Sequence, residues 1–422
     1  MYRQEILQDI SLFTSQPKQK FYDELFANLS YEDIEIPVSK TGRPGFDFIA
    51  KLNAFIVMKI ERFSQITDLV DYLNNNRIIA YYCGFDIMKK LPSYWTFDRF
   101  LKQLDNNFLK EIMQKQVLKL ADMGYIDTSF IGLDSTPIYA NTKQNNPKSF
   151  AKSKFSKANH PKSDKDCSLG VHTASNQINE RKFDYYWGYK NHVLVDCITG
   201  LPIYEITTGA NVADSTVAID VLNQTNKFLS VNECSFLADK GYDVKAIYNT
   251  VKNTFNGECF IPLNSRNTKD VKKLPMGIPL CDAGLAMHKD GKTKDNGRTR
   301  QKFCCPYKCS KCEFCPIDHK NWNNGKKHRG CTKYITIPDD YRLSINRDDK
   351  YFKKTYSLRT ECERYNSRFK DTGTERLWVK NENSAKNLIT LSHITLLAVA
   401  LVAVVTKKTK YLKSLKSIKR IA

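Results

Sequence analysis

The stretch YSLRTECERYNSRFK, residues 356–370, places a glutamate among basic residues at helical spacing. A helix turns by about 100° per residue, so Tyr356, Arg359, Glu363 and Lys370 fall on one narrow face. The opposite face is apolar and is expected to pack on a core; it carries Leu358, Cys362, Tyr365 and Phe369. The polar stripe is either a solvated surface with weak ion pairs or part of a functional site, and the rest of the chain decides between the two.

The chain is long and strongly basic. Its 422 residues are enough for two or three domains with a large core. It contains 66 Lys plus Arg and 45 Asp plus Glu, which gives a formal net charge of +21. This excess predicts a polyanionic partner, because neutralising phosphates releases counterions. Nucleic acid is the first candidate and an anionic membrane is the second.

Two segments bear on the location of the protein. The N-terminal stretch MYRQEILQDI has no apolar signal core, and the scattered single cysteines are typical of a reducing compartment, so a cytoplasmic protein is expected. The run LITLSHITLLAVALVAVV, residues 388–405, approaches the length of a membrane span. Polar residues interrupt its first half, so a buried core helix is the preferred interpretation and a membrane anchor is the alternative.

Hydrophobic periodicity divides the chain into segments. Residues 1–121 show helical spacing and predict an N-terminal helical domain. Residues 122–263 predict the order strand, hairpin, helix, strand, helix, strand, which is typical of an α/β core. Within them, the Lys-rich stretch 141–166 has no periodicity and predicts a mobile loop that follows a phosphate backbone. A basic insertion, 264–345, separates this part from a second core segment, 346–405, and a basic tail, 406–422.

Two aspartates are predicted to end apolar strands. Asp134 follows the alternating pattern of FIGLD, and Asp239 ends the apolar run of ECSFLAD. Together with Glu363 they suit phosphoryl transfer with two Mg²⁺ ions, which needs oxygen ligands that hold the metals about 3.5–4 Å apart. Asp127 and Asp243 are nearby competitors for these two positions.

These residues resemble the motifs of bacterial and archaeal insertion-sequence transposases of the DDE class. One branch of that family has the signature Y-x2-R-x3-E-x6-K, which four residues match at every spacing: Tyr356, Arg359, Glu363 and Lys370. Asp239, Gly241 and Tyr242 match its second-aspartate motif, D-x-G-(F/Y), and GLDSTPI around Asp134 resembles its first. The N-terminal stretch GRPGFDFIAKLNAFIVMKIERF also resembles the helical leader of these enzymes, so the resemblance covers nearly the whole chain.

The resemblance implies an RNase H-like catalytic core behind a DNA-end-binding helical domain. It implies that Asp134, Asp239 and Glu363 bind two Mg²⁺ or Mn²⁺ ions, cleave the transposon ends and let the freed 3′-OH attack target DNA. The residues expected to contact DNA are Tyr356, Arg359, Lys370 and Lys240. The expected partner is double-stranded DNA, both the terminal repeats and the target. The resemblance also implies a homodimer in the synaptic complex and a nucleoid-associated location. The alternatives are an inactive DNA-binding protein of transposase origin and a nuclease without strand transfer.

The insertion carries a cluster of cysteines. Cys309, Cys312 and Cys315 are separated by two residues each, which is zinc-ligand spacing, and Cys305 and Cys331 flank them. A polar, basic segment with little apolar material needs a metal to fold, so a structural zinc is expected. Four of these five are the predicted ligands: Cys305, Cys312, Cys315 and Cys331, with Cys309 as the main substitute and His319 and His328 as weaker candidates.

Overall fold

The structure is a computed structural model of the chain. It describes residues 17–29, 31, 45–149, 153–175, 181–264, 274, 278–295, 298–320, 322, 330–336 and 341–421. The N-terminal decapeptide and His328 lie outside these residues. Two compact units are present, one formed by residues 1–261 with 350–422 and the other by residues 262–349.

The described N-terminal part is helical. Its helices are α1 (Pro17–Asn28), α2 (Phe48–Ile60), α3 (Ile66–Asn75), α4 (Arg77–Cys83), α5 (Tyr94–Gln103) and α6 (Asn106–Asp122). Asp47 caps α2, since its side chain accepts the Ala50 N–H at 2.7 Å. Aromatic rings join α2 to α5, with the ring centroid of Phe55 5.5 Å from that of Phe97.

A mixed sheet follows the helices. Its elements are β1 (Phe130–Tyr139), β2 (Ser168–Ser175), β3 (Arg181–Asp196), β4 (Pro202–Gly209), α7 (Asp214–Asn226), β5 (Ser235–Ala238), α8 (Lys245–Asn249) and β6 (Glu258–Phe260). The main body has the order β4-β3-β1-β5-β6. β3 is antiparallel to β1 and β4, whereas β1, β5 and β6 are parallel, and the first half of β3 pairs with β2. This arrangement is that of an RNase H-like core.

The second unit contains a small antiparallel sheet. Its elements are β7 (His288–Asp295), β8 (Arg298–Cys304), α9 (Pro306–Cys309), β9 (Lys333–Thr336) and α10 (Tyr341–Ser344). Strand β8 lies between β7 and β9. A core is present despite the polar sequence, and its buried members are Cys281, Met287, Phe303, Cys305, Trp322 and Cys331.

The chain then returns to the first unit through four helices. They are α11 (Lys350–Ser357), α12 (Thr360–Phe369), α13 (Glu382–Val405) and α14 (Leu415–Ile421). Helix α13 is long and apolar enough to cross a membrane, but 89% of its apolar window is buried inside the protein. It packs against α1, α2, α5, α6 and β4. The packing is that of the predicted core helix and gives the membrane-anchor alternative no support.

The basic tail is part of the folded unit. Ile418 is fully buried, and Lys419 Nζ lies 3.2 Å from Glu61 Oε2 at the end of α2. The sequence predicts a basic tail over residues 406–422. In the structure its apolar residues at helical spacing pack it onto the N-terminal helices.

The described part of the Lys-rich loop packs against β3. Asn145 Nδ2 donates to the Trp187 carbonyl at 2.6 Å, and Trp187 Nε1 donates to the Lys154 carbonyl at 2.9 Å. These bonds tie the described part of the predicted mobile loop to the sheet, because a buried tryptophan needs polar partners. Residues 150–152 of the loop lie outside the described part of the chain.

Candidate active site

Asp134 and Asp239 occupy equivalent positions on neighbouring parallel strands. The last pair of the β1–β5 ladder is Leu133 with Ala238, so each aspartate is the next residue along its strand. Asp239 indeed ends its strand. Asp134 does not, because β1 continues to Tyr139 by pairing with β3, where Val193 lies opposite Asp134. The expectation that Asp134 ends its strand is wrong, since the long antiparallel partner extends β1 beyond the end of β5.

The turn after β5 fixes Asp239. One carboxylate oxygen, Oδ1, accepts the Gly241 N–H at 2.7 Å. A Cβ on Gly241 would lie 2.8 Å from this oxygen, so any other residue at this position would displace the Asp239 carboxylate. Lys240 lies on the exposed side of the same turn.

The polar stretch 356–370 is not one continuous helix. Helix α11 ends at Ser357 and α12 begins at Thr360. At the break, Thr360 Oγ1 donates to the Ser357 carbonyl at 2.9 Å, and Ser357 Oγ donates to the Lys354 carbonyl at 2.6 Å. Such hydroxyl groups compete with the helical ladder for carbonyls, and the helical periodicity of the sequence did not reveal this break.

Helix α12 packs closely on β1. Cys362, Tyr365 and Phe369 are buried on this side, as the apolar stripe predicts. Gly132 makes the approach possible, because a Cβ there would lie 2.3 Å from Cys362 Sγ and 2.6 Å from Cys197 Sγ. The helix therefore reaches β1 two residues before Asp134.

Arg359 lies between two of the candidate carboxylates. Its Nη1 donates to Glu363 Oε1 at 2.6 Å, and its Nη2 lies 3.9 Å from Asp134 Oδ1. The side chains of Arg359 and Asp134 are largely buried, whereas that of Glu363 is 60% exposed. Glu363 lies among basic residues because it forms an i,i+4 ion pair with Arg359, which also faces Asp134.

The other two candidate carboxylates act electrostatically on Asp134. The pKa of Asp134 is raised to about 6, chiefly by burial; the charge of Arg359 opposes this rise, and the charges of Asp239 and Glu363 add to it. Burial also raises the pKa of Tyr356, with contributions in the same direction from all three carboxylates. Tyr356 therefore lies within electrostatic range of all three carboxylates, and its ring stacks on Phe352 with 6.0 Å between centroids.

The raised pKa of Asp134 makes a prediction about stability in metal-free buffer. The folded chain favours the protonated form of Asp134. The stability that this preference contributes is complete below pH 3.8, the usual pKa of an aspartate, and is lost as the pH rises through about 6. Asp134→Asn removes this loss and is expected to raise the free energy of unfolding at pH 7.5 by about 2 kcal/mol. Urea unfolding at several pH values measures it. A gain that does not shrink between pH 7.5 and pH 4 would contradict the assignment.

Asn366 is a site residue that the sequence analysis missed. Its Nδ2 donates to Asp134 Oδ2 at 3.0 Å, and the residue is only 9% exposed. In the described part of the chain, its buried Oδ1 has no hydrogen-bond partner. The only signal was its spacing, since a residue three positions after Glu363 lies on the same side of a helix.

Other predicted residues lie elsewhere. Lys370 begins a π-helical turn, and its Nζ lies 3.0 Å from Glu375 Oε1. Asp127 accepts the Ser129 N–H in the turn before β1, and Asp243 accepts from Tyr248. These two aspartates are turn and packing residues, and the structure does not bring Lys370 to the carboxylates through any contact that it describes.

The cysteines of the second unit form two groups. Cys304 Sγ and Cys309 Sγ lie 2.7 Å apart. Cys305 and Cys331 interact with each other in a buried core, Cys315 packs against that core, and Cys281 joins it from outside the predicted cluster. Cys312 is exposed. The zinc-ligand spacing thus gave no sign of Cys281, which lies 24 residues before Cys305 along the chain.

The donor chemistry fits the predicted metals better than the arrangement does. Carboxylate oxygens suit Mg²⁺ or Mn²⁺, and cysteine sulfurs suit Zn²⁺. Yet among the residues that the structure describes, no three His, Cys, Asp or Glu side chains are arranged to hold a metal ion. At the carboxylate site, the Arg359 guanidinium is paired with Glu363 and faces Asp134.

Comparison with known families decides the class of protein. A family model described as a transposase DDE domain matches residues 127–398, which is more than half of the chain. The chain belongs to the DDE-domain transposases. A second model, described as a transposase domain, matches residues 11–103 of the transposase. Asp134, Asp239 and Glu363 all lie within the first match. No curated protein matches the transposase.

Solved structures of two transposases resemble this chain, with low sequence identity and low TM-scores. The piggyBac transposase in a synaptic complex with hairpin DNA is 10% identical, with a TM-score of 0.38, and the match covers 99% of this chain and 79% of that one. The Mos1 transposase in a paired-end complex with the left transposon end is 12% identical, with a TM-score of 0.17, and the match covers 56% and 64%. Likeness at this level decides nothing about the geometry of this transposase.

Proposed function

We propose that this transposase cuts DNA at the ends of its insertion sequence and joins the freed ends to target DNA. The observation that carries the proposal is geometric: Asp134 and Asp239 hold equivalent positions on adjacent parallel strands, and Arg359 both pairs with Glu363 and faces Asp134. We assign the transposase to the branch with the Y-x2-R-x3-E-x6-K signature. Metal-dependent phosphoryl transfer is the chemistry that such a set of carboxylates serves.

The three carboxylates would hold two Mg²⁺ or Mn²⁺ ions. Bound there, the ions activate the attacking oxygen and stabilise the leaving oxygen of an in-line displacement. Asn366 would keep Asp134 in the orientation for ligation through its hydrogen bond of 3.0 Å. Before DNA arrives, Arg359 pairs with Glu363 through a hydrogen bond of 2.6 Å. Once Arg359 releases Glu363, the planar guanidinium of Arg359 would bind phosphate oxygens of the DNA.

The reaction would proceed in two balanced displacements. Water attacks the phosphodiester at the end of the element, the P–O bond to the 3′ oxygen breaks, and a 3′-OH is released. That 3′-OH then attacks a target phosphodiester, forms a new P–O bond and displaces another 3′-OH. Tyr356 and Lys240 border the carboxylates and would contact the DNA backbone. Lys370, which is paired with Glu375, stays a predicted DNA contact.

The remaining predictions concern partners and location. The net charge of +21 supports double-stranded DNA as the partner, with terminal repeats bound through the N-terminal helices. A homodimer holding two ends and a nucleoid-associated, cytoplasmic location belong to the same proposal. Each is tested by the composition of the complex formed on end DNA.

A precut-end assay tests the function. A labelled duplex with a free 3′-OH at the element boundary is incubated with the transposase, a target plasmid and Mg²⁺ or Mn²⁺. Plasmid that carries the label through a covalent bond is the expected product, with Asp239→Asn as the inactive control. Boundary nicks on an uncut duplex without any joined plasmid would identify a nuclease instead.

An inactive DNA-binding protein is the second candidate, and one contact favours it. Arg359 is paired with Glu363 and faces Asp134, so two of the candidate metal ligands already have a cationic neighbour. Specific binding of the end duplex, with neither nicks nor joined products in Mg²⁺ or Mn²⁺, would establish this alternative.

We also propose that the cysteine-rich unit binds one structural zinc through four of Cys305, Cys309, Cys312, Cys315 and Cys331. The proposal is supported by their spacing and by the burial of Cys305 and Cys331 in one core. Elemental analysis of protein purified without chelators is expected to give about one zinc per chain, the stoichiometry of a single four-coordinate site. Cys305→Ser is expected to lose it. Zinc-free protein with an unchanged melting temperature would contradict the proposal.

A further inference from the structure

A cationic cavity lies on the other side of α12 from the candidate active site. Its volume is 170 Å³, and four cationic residues line it: Arg62, Arg368, Lys413 and Lys416. They come from the turn after α2, from α12 and from the segment that begins α14. Asp371 is the one acidic residue of the lining among the described residues.

A buried glutamate below the cavity holds two of these cations in place. The side chain of Glu361 is 8% exposed, and its Oε1 accepts from Arg368 Nη1 at 3.1 Å and from Lys413 Nζ at 2.9 Å. Arg368 Nη2 also donates to the Gly200 carbonyl at 2.7 Å, in the turn between β3 and β4. Both ends of the guanidinium are therefore fixed, so little rotamer freedom is lost when a ligand binds.

Arg62 is fixed from the opposite side of the cavity. Its backbone has φ of 67°, a left-handed conformation that side-chain-bearing residues rarely adopt. Gly373 packs against it, since a Cβ there would lie 3.1 Å from the Arg62 carbonyl oxygen. Its side chain reaches Asp371, with Nη2 3.3 Å from Oδ2. Four cations face two carboxylates, Glu361 and Asp371, so positive charge remains in surplus.

The cavity is separate from the carboxylate site. Residues 361 and 363 are about 200° apart around the helix axis, so Glu361 and Glu363 point to opposite sides of α12. The hydrogen bonds agree, because Arg368 reaches Gly200 whereas Asn366 reaches Asp134. One helix thus carries two polar sites on opposite faces.

We propose that this cavity binds a phosphate group of the DNA backbone and forms a second anchor for the DNA that the transposase acts on. The inference rests on the proposed function. Two arginines and two lysines converging from three chain segments suit a phosphate, because guanidinium groups donate in pairs to its oxygens and ammonium groups add charge. The volume of 170 Å³ suits one phosphate group rather than a long apolar ligand. A free phosphate is the other source of the same chemistry.

The test is the salt dependence of binding to an end duplex in metal-free buffer, where no cleavage is required. Each lost phosphate contact is expected to reduce the slope of log K against log [salt] by about 0.9, and to weaken binding by about fivefold at 0.15 M salt. We expect this loss for Lys416→Gln and again for Arg62→Gln. Lys416→Arg is expected to retain the wild-type slope. Lys227→Gln, an exposed charge change at the end of α7, is the matched control.

Each outcome is decisive for the second anchor. A wild-type slope in both Gln variants, with unchanged melting temperatures, overturns it. If the Gln variants lose binding of inorganic phosphate, measured by ³¹P NMR, but keep the wild-type salt slope, the cavity binds free phosphate and the DNA anchor is overturned. Wild-type protein that binds no DNA overturns both proposals. Wild-type protein that binds but never cuts, with the slope reduced in the variants, removes the proposed chemistry and leaves the anchor standing.

Discussion

Glu363→Gln is expected to lower the rate of DNA cleavage by at least about 10²–10³-fold, the usual cost of losing one group that stabilises a transition state. The amide keeps the shape of the side chain but removes the negative charge that a hard divalent cation needs. DNA binding is not expected to weaken, because the substitution removes a repulsive charge. The fold is expected to remain intact, since the side chain of Glu363 is 60% exposed and its partner is a surface-type ion pair.

Single-turnover cleavage of a fluorescent end duplex in Mg²⁺ measures this effect, and circular dichroism measures the melting temperature in parallel. Glu111→Gln is the matched control, because it makes the same chemical change on the exposed side of α6. Cleavage by Glu363→Gln at the rate of the control would remove Glu363 from the site. A parallel loss of melting temperature would show instead that the residue acts through the fold.

Gly132→Ala is expected to destabilise the protein by about 1–3 kcal/mol and to reduce cleavage at the same time. The new methyl group would lie 2.3 Å from Cys362 Sγ and 2.6 Å from Cys197 Sγ, so helix α12 must move away from β1. That helix carries Glu363, and β1 carries Asp134. A shift of the packing therefore changes the separation of the two carboxylates, and catalysis is sensitive to displacements of about 1 Å.

Urea unfolding and the cleavage assay together measure the effect of this glycine. Gly45→Ala is the matched control, because a Cβ at Gly45 meets no atom within 4 Å. Adding Cys362→Ala to Gly132→Ala is expected to recover part of both losses, with a coupling energy of about 0.5–3 kcal/mol between the two positions. Equal stability of the Gly132 and Gly45 variants would show that the helix does not depend on this close approach.

Much of the architecture could be predicted from local patterns in the sequence. Hydrophobic spacing predicted the apolar face of α12, the β3–β4 hairpin and the core helix α13, because burial of one face imposes a period that each element shows by itself. The motifs around Asp134, Asp239 and Glu363 predicted the class of protein that the family match then showed. The catalytic and metal-binding roles of these three residues stay predictions.

Local patterns missed other elements. Strand β2 and the first half of β3 follow a Lys-rich loop and were not predicted. These two segments pair with each other, and their exposed face carries large apolar side chains such as Phe183 and Tyr185. The break before α12 was also missed. There, hydroxyl groups compete for helical carbonyls without disturbing the apolar period.

Contacts between elements were decided by the tertiary structure alone. Spacing gives the angle of a side chain around its own helix, and it placed Lys370 beside Glu363; the local turn after α12 pairs Lys370 with Glu375 instead. Between elements, Asn366 reaches Asp134, and Cys281 joins a core with Cys331. The sequence by itself determined which residues can face a site, because periodicity is a property of a single element. Which of them meet depends on how closely two elements approach, and here that distance is set by Gly132 beneath α12 and by the long partner strand of β1.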